Sequence, residues 1–114
     1  MYSFVIRGIK INVKDLMKML NLEQYQIGTE SDYDTFDYFR NKFRNLSVEA
    51  NGNFFGKLDY TTLIIGEDIG YLEDGEVEEF DDRTQEQDDA LRKRLNDVGI
   101  TGILKTYIQA ISKK

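Results

Sequence analysis

Tyr60-Thr61-Thr62-Leu63-Ile64-Ile65-Gly66-Glu67-Asp68-Ile69-Gly70-Tyr71-Leu72 is the stretch whose reading decides the fold. Its first half is aromatic, β-branched and aliphatic, the composition of a strand. Beyond Gly66 it can be read in two ways. Glu67 to Gly70 is either a turn or a bulged continuation of the same strand.

Upstream, Leu46 to Ala50 reads as a short strand. Asn51-Gly52 is a strong two-residue hairpin signal, and Phe54 to Gly66 reads as the returning strand, broken at Gly56. Downstream, Asp74-Gly75 offers a second hairpin turn, between Tyr71-Leu72 and Val77 to Phe80.

The remaining elements follow from apolar spacing and end signals. Phe4, Ile6, Ile9 and Ile11 alternate imperfectly around Gly8, which predicts a strand over Tyr2 to Ile11 with a bulge at the glycine. Asn12 is a helix N-cap with Asp15 in the first turn, and Val13, Leu16, Met17 and Leu20 share one helical face. Glu23 to Glu30 reads as a polar loop. Ser31 or Asp32 caps a second helix over Tyr33 to Arg44, with Phe36, Phe39, Phe43 and Leu46 as its stripe. Arg40, Lys42 and Arg44 lie at the end where cations are favoured.

Asp82 or Thr84 caps a third helix, and Thr84-x-x-Gln87 has the form of a capping box. Leu91, Leu95 and Val98 are its buried stripe. Asp88 with Arg92 and Asp89 with Lys93 are expected i,i+4 pairs, and Gly99 is the expected left-handed stop. Ile103 to Ile111 closes the list as a strand. This order predicts one α+β domain over residues 1–114: an antiparallel or mixed sheet of four to five strands, with three helices mainly on one face.

Charge is the second organising feature. Residues 67–89 hold twelve of the chain's twenty-one carboxylates and one base, Arg83. That segment carries −11 and the remainder +5, giving the net charge of −6. The acids before and within the third helix are explained by capping and by the helix dipole. The arm from Tyr71 to Phe80 is not. There Glu73, Asp74, Glu76, Glu78 and Glu79 are interleaved with Tyr71, Val77 and Phe80, a charged field around apolar anchors, and Asp81 and Asp82 follow at its junction with the helix. These ten residues form the candidate partner-binding site, and the partner they imply is a basic protein surface.

Composition removes other classes. The chain has no Cys and no His, so disulfides, thiolate metal sites and Ser-His or Cys-His catalysis are excluded. No glycine pattern suits a phosphate cradle. The EF-hand pattern fails, because Gly70 falls where a ligand must stand and Asp32-Tyr33-Asp34 lacks the following Gly. No catalytic residue, metal site or cofactor is therefore expected. Acidity argues against direct nucleic-acid binding, and no apolar run approaches the roughly 18 residues of a membrane span. The start of the chain does not read as a signal peptide, which makes the cytoplasm the default location.

The leading expectation is a non-enzymatic acidic binding protein, an inhibitor or regulator. Its strong form is a nucleic-acid mimic whose carboxylates stand in for phosphates. Abundant Asn, Ile, Lys and Tyr mark AT-rich coding, as in many phages and viruses. The alternatives are a structural protein forming a homo-oligomer through a sheet edge or aromatic patch, in which Tyr33 and Tyr38 are candidates, and a Ca²⁺-stabilised module.

Overall fold

Asn12 ends the first strand and starts the first helix. Its side chain accepts the Lys14 backbone N–H at 2.8 Å, which satisfies a donor that the helix start leaves open. The computed structural model of the chain describes residues 2–28, 31–52, 58–73 and 83–111. In it, β1 (Tyr2–Asn12) leads into α1 (Val13–Met19), a one-turn helix α2 (Gln24–Ile27) and α3 (Asp32–Lys42). Then come β2 (Ser47–Gly52), β3 (Leu58–Glu73), α4 (Gln85–Asp97) and β4 (Lys105–Ile111). The strands form one antiparallel sheet in the order β2-β3-β1-β4. The α+β class and antiparallel pairing agree with the sequence reading.

The core lies on one face of this sheet. Ile9 and Ile11, Leu63 and Ile65, and Val48 and Ala50 stand opposite one another across β1, β3 and β2. Leu16 of α1, Phe36 and Phe39 of α3, Phe43 at the end of α3, and Leu91 and Leu95 of α4 pack on them, with Ile100 and Leu104 closing one end. Burying a side chain of this size is worth about 1.5–3 kcal/mol. The helical spacing that predicted these stripes therefore identifies the residues that hold the layers together. On the opposite face Ile6 and Ile64 are buried beside Lys10, Glu49 and Tyr107.

Several expectations are corrected. Asn51-Gly52 is not the turn: the two residues pair with Asp59 and Leu58 in the β2–β3 ladder, and residues 53–57 lie outside the described residues. The register slips between Ala50 and Asn51, so that Tyr60 to Thr62 are skipped in the pairing with β2, a bulge on the β3 side. Asp59 accepts the Thr61 backbone N–H at 2.9 Å and its hydroxyl at 2.5 Å, a local turn that holds the bulge. Phe54 to Lys57 also lie outside the described residues, and β3 begins at Leu58.

Of the two readings of Glu67 to Gly70, the bulged continuation is the observed one. Ile69 is the extra residue, because Val5 pairs with Gly70 and Ile6 with Asp68. Tyr71 and Leu72 continue in β3, paired with Phe4 and Ser3. The Asp74-Gly75 turn and the strand at Val77 to Phe80 lie outside the described residues.

The polar segment after Leu22 contains α2, because the Glu23 backbone N–H donates to Gln26 Oε1 at 2.7 Å and Gly28 stops the turn at φ +84°. Val98 sits at the end of α4, partly exposed rather than in the stripe. Gly99 adopts the expected positive φ, +88°. Ile103 precedes β4 and is exposed.

Gly8 marks a close approach instead of a bulge. It faces Gly66 across the central β1–β3 pair. A Cβ on Gly8 would lie 2.3 Å from the Ile65 carbonyl oxygen, and one on Gly66 would lie 2.1 Å from that of Arg7. Both obstacles are backbone and cannot rotate away. Gly8→Ala or Gly66→Ala is therefore expected to cost about 3 kcal/mol or more, read as a lowered urea midpoint. Gly28→Ala, with open space but a positive φ, should cost only about 1 kcal/mol in the same assay.

Candidate functional site

The acidic stretch enters and leaves the described fold at two fixed points, and a single charge cluster joins them. Glu67 of β3, Arg7 of β1 and Thr106 of β4 stand side by side across three strands. Asp88 comes down onto this row from the first turn of α4, which is positioned by Thr84. The Thr84 hydroxyl accepts the Gln87 backbone N–H at 3.1 Å, and Gln87 Oε1 accepts the Thr84 backbone N–H at 2.9 Å. The capping box predicted from sequence is thus what aims Asp88 at the sheet.

Arg7 donates to both Asp88 oxygens, at 3.2 and 2.8 Å, and to the Thr106 hydroxyl at 3.2 Å. Arg83, at the end of the acidic arm, donates from Nε to Asp88 and from a terminal nitrogen to Glu67 at 2.8 Å. Its other contact is the Gln87 carbonyl, at 3.3 Å. Two guanidiniums and two carboxylates therefore neutralise one another in a half-buried site, where Asp88 retains 18% side-chain exposure.

The Arg7 hydrogen bonds are the largest influence on the Asp88 carboxyl. Partial burial opposes them, and the Arg83 hydrogen bond and both positive charges add to them. The net result holds Asp88 at about 2, below the ordinary 3.8.

This geometry changes the account of the acids. The expected Asp88–Arg92 and Asp89–Lys93 pairs are replaced. Asp88 turns inward to Arg7 and Arg83, and Arg92 bonds Asp89 at 3.3 Å, three residues away instead of four. A half-buried carboxylate gains more from two fixed guanidiniums than from an exposed helix neighbour. Arg83, the one base in residues 67–89, is committed to Glu67 and Asp88.

Of the ten predicted site residues, the described fold places the backbone of Tyr71 and Glu73 in β3, opposite Phe4 and Tyr2. Asp74, Glu76, Val77, Glu78, Glu79, Phe80, Asp81 and Asp82 lie outside the described residues. Asp68, Glu86 and Asp89 are exposed at its two flanks.

The tyrosines do not gather into a patch. Tyr33 packs edge-on to Tyr60, with ring centroids 5.3 Å apart, whereas Tyr38 packs on Phe39 at the same separation. They are five residues apart on a helix, which turns them to different sides.

Sequence reading missed Arg7, because nothing local links it to a residue 81 positions away. It also missed Glu49, whose carboxyl is raised chiefly by burial, next by the charge of Asp68, with Arg40 opposing. Among the described residues no three carboxylates converge to hold a metal ion, and no helix is long and apolar enough to cross a membrane.

The depressed Asp88 carboxyl fixes a pH dependence. Its stabilisation is present above about pH 4 and is lost as pH falls toward 2, through the folded value. Asp88→Asn should lower stability at neutral pH by roughly 1.5–3 kcal/mol, the worth of a hydrogen bond to a charged group. It should also flatten the acid limb of the melting-temperature profile. Thermal unfolding of both proteins across that limb checks this, and parallel acid limbs would contradict it.

The chain matches no protein-family model, no curated protein and no solved structure.

Proposed function

We propose that this chain is a non-enzymatic binding protein that docks its acidic arm on a basic protein surface, as an inhibitor or regulator. The observation that carries the reading is the commitment of Arg83. The only base of residues 67–89 is held by Glu67 and Asp88 at the two ends of the arm. Glu73, Asp74, Glu76, Glu78, Glu79, Asp81 and Asp82 keep no base from their own stretch. Such a field steers a cationic partner and speeds its approach. Tyr71, Val77 and Phe80 supply the apolar contacts that charge alone does not. In its strong form the arm imitates a phosphate backbone and occupies a groove built for nucleic acid. The absence of Cys and His supports a role without catalysis.

The test neutralises Glu76, Glu78, Glu79, Asp81 and Asp82 as Gln or Asn. A partner captured at low salt should associate with the variant at least about tenfold more slowly, and its association with the native chain should slow as salt rises. Undiminished association of the variant at low salt would falsify the reading.

One observation favours a second reading, self-association through a sheet edge. Among the described residues β4 is an outer strand of the sheet, and Ile108 on it is 58% exposed. Apolar strand pairing resists salt, so light scattering at high salt should show a dimer if β4 pairs with a second copy. A monomer there excludes it.

A further inference from the structure

α3 and α4 end beside one another, and their last turns line an open surface cavity of about 230 Å³. Its apolar lining is Phe43, which is buried, and Leu46 and Val98. Among the described residues its charged lining is Lys42, Arg44, Arg94 and one acid, Asp97. The Arg94 guanidinium donates to the Asn45 carbonyl, which clamps α4 to the loop leaving α3. Leu46 N–H donates to the Phe43 carbonyl at 3.0 Å and tightens the same loop. Lys42 leans toward the Tyr38 ring, 5.9 Å from its centre.

The bland account is that cations at helix C-termini answer the negative end of the dipole. It covers only part of the charge. Each helix end is worth about half a negative charge. With Asp97 added, roughly one of the three positive charges is still left over. The ion pairs among the described residues join Arg7, Arg83 and Arg92 to carboxylates, and none involves Lys42, Arg44 or Arg94. An excess cation beside an apolar floor, in a chain of net charge −6, is a local reversal of sign.

We infer that this cavity is an oxyanion site, which takes a carboxylate or phosphate group through Arg44 and Arg94, with Lys42 at its rim. Its volume is below the roughly 300–1000 Å³ of pockets that enclose whole small molecules. It therefore suits one anionic group presented on a larger ligand, and not a nucleotide or sugar held entire. The site is independent of the acidic arm. Asp88 lies in the first turn of α4 and Arg94 in the last, so the two charges face opposite ends of the same helix.

The test is a backbone-amide NMR titration of the whole chain at constant ionic strength. One arm uses inorganic phosphate and the other a tetraglutamate peptide. Saturable shifts are expected at residues 43–46 and 94–98 with at least one of them. Tighter binding of phosphate assigns the site to phosphorylated ligands, and tighter binding of the peptide assigns it to acidic segments. Arg44 is exposed, so Arg44→Gln should leave resonances away from the cavity unchanged while weakening binding about fivefold, the worth of one near-surface charge. Lys93→Gln, an exposed cation of α4 outside the cavity, should leave binding as it is. Non-saturating shifts with both ligands, equal binding by Arg44→Gln, or equal weakening by Lys93→Gln would each overturn the assignment.

Discussion

One carboxylate under two guanidiniums ties together three strands, a helix and the exit of the acidic arm. Asp88 is reached from β1 by Arg7 and from the arm by Arg83, while Arg7 also holds Thr106 of β4 and Arg83 holds Glu67 of β3. Half-buried ion clusters add little net stability over an apolar replacement, because desolvation offsets much of the attraction. Their effect is on arrangement. Here the cluster sets where the first turn of α4 lands on the sheet. It also brings together the two points, Glu67 and Arg83, between which residues 68–82 must run. The apolar core holds the layers, and the charge cluster determines how they are aligned.

Sequence was most informative where a rule is local. The Asn12 cap, the Thr84–Gln87 box, the Phe36–Phe39–Phe43 stripe and the Gly99 stop each depend on residues within a few positions, and each is present in the fold. It was least informative where the deciding partner is distant. Asn51-Gly52 has strong turn statistics, but the register with Asp59 and Leu58 draws both residues into the ladder. Gly8 suggests a bulge until its partner is known to be Gly66. Arg7 carries no sign of its role, because its carboxylate is on another element. The candidate site divides in the same way. The charge imbalance of residues 67–89 is legible directly, whereas the capture of their only base required the sheet register. The basic cavity was visible only in part, as Lys42 and Arg44 at one helix end, with Arg94 far along the chain.

The two charged features are consistent with one helix dipole. Acids gather at the start of α4 and cations at its end, which is the arrangement the dipole favours. The polarity of the surface is therefore built on an axis that the fold already stabilises. Opposite charges on one short helix are kept apart by its length, about 1.5 Å for each of thirteen residues.

The strand order has a kinetic consequence. β1 occupies the middle of the sheet, but its neighbours are residues 58–73 on one side and 105–111 on the other. During synthesis β1 must wait for both. The pairing of Arg7 with Thr106 closes across ninety-nine positions. Loop closure over that span slows the search for the native arrangement, since long-range pairing yields its energy only after the chain entropy has been lost. Until β4 arrives, β1 is itself an edge, with Val5 and Ile6 at its outer margin. A nascent chain in that state presents an open apolar strand, and such an edge is prone to aggregation until β4 covers it.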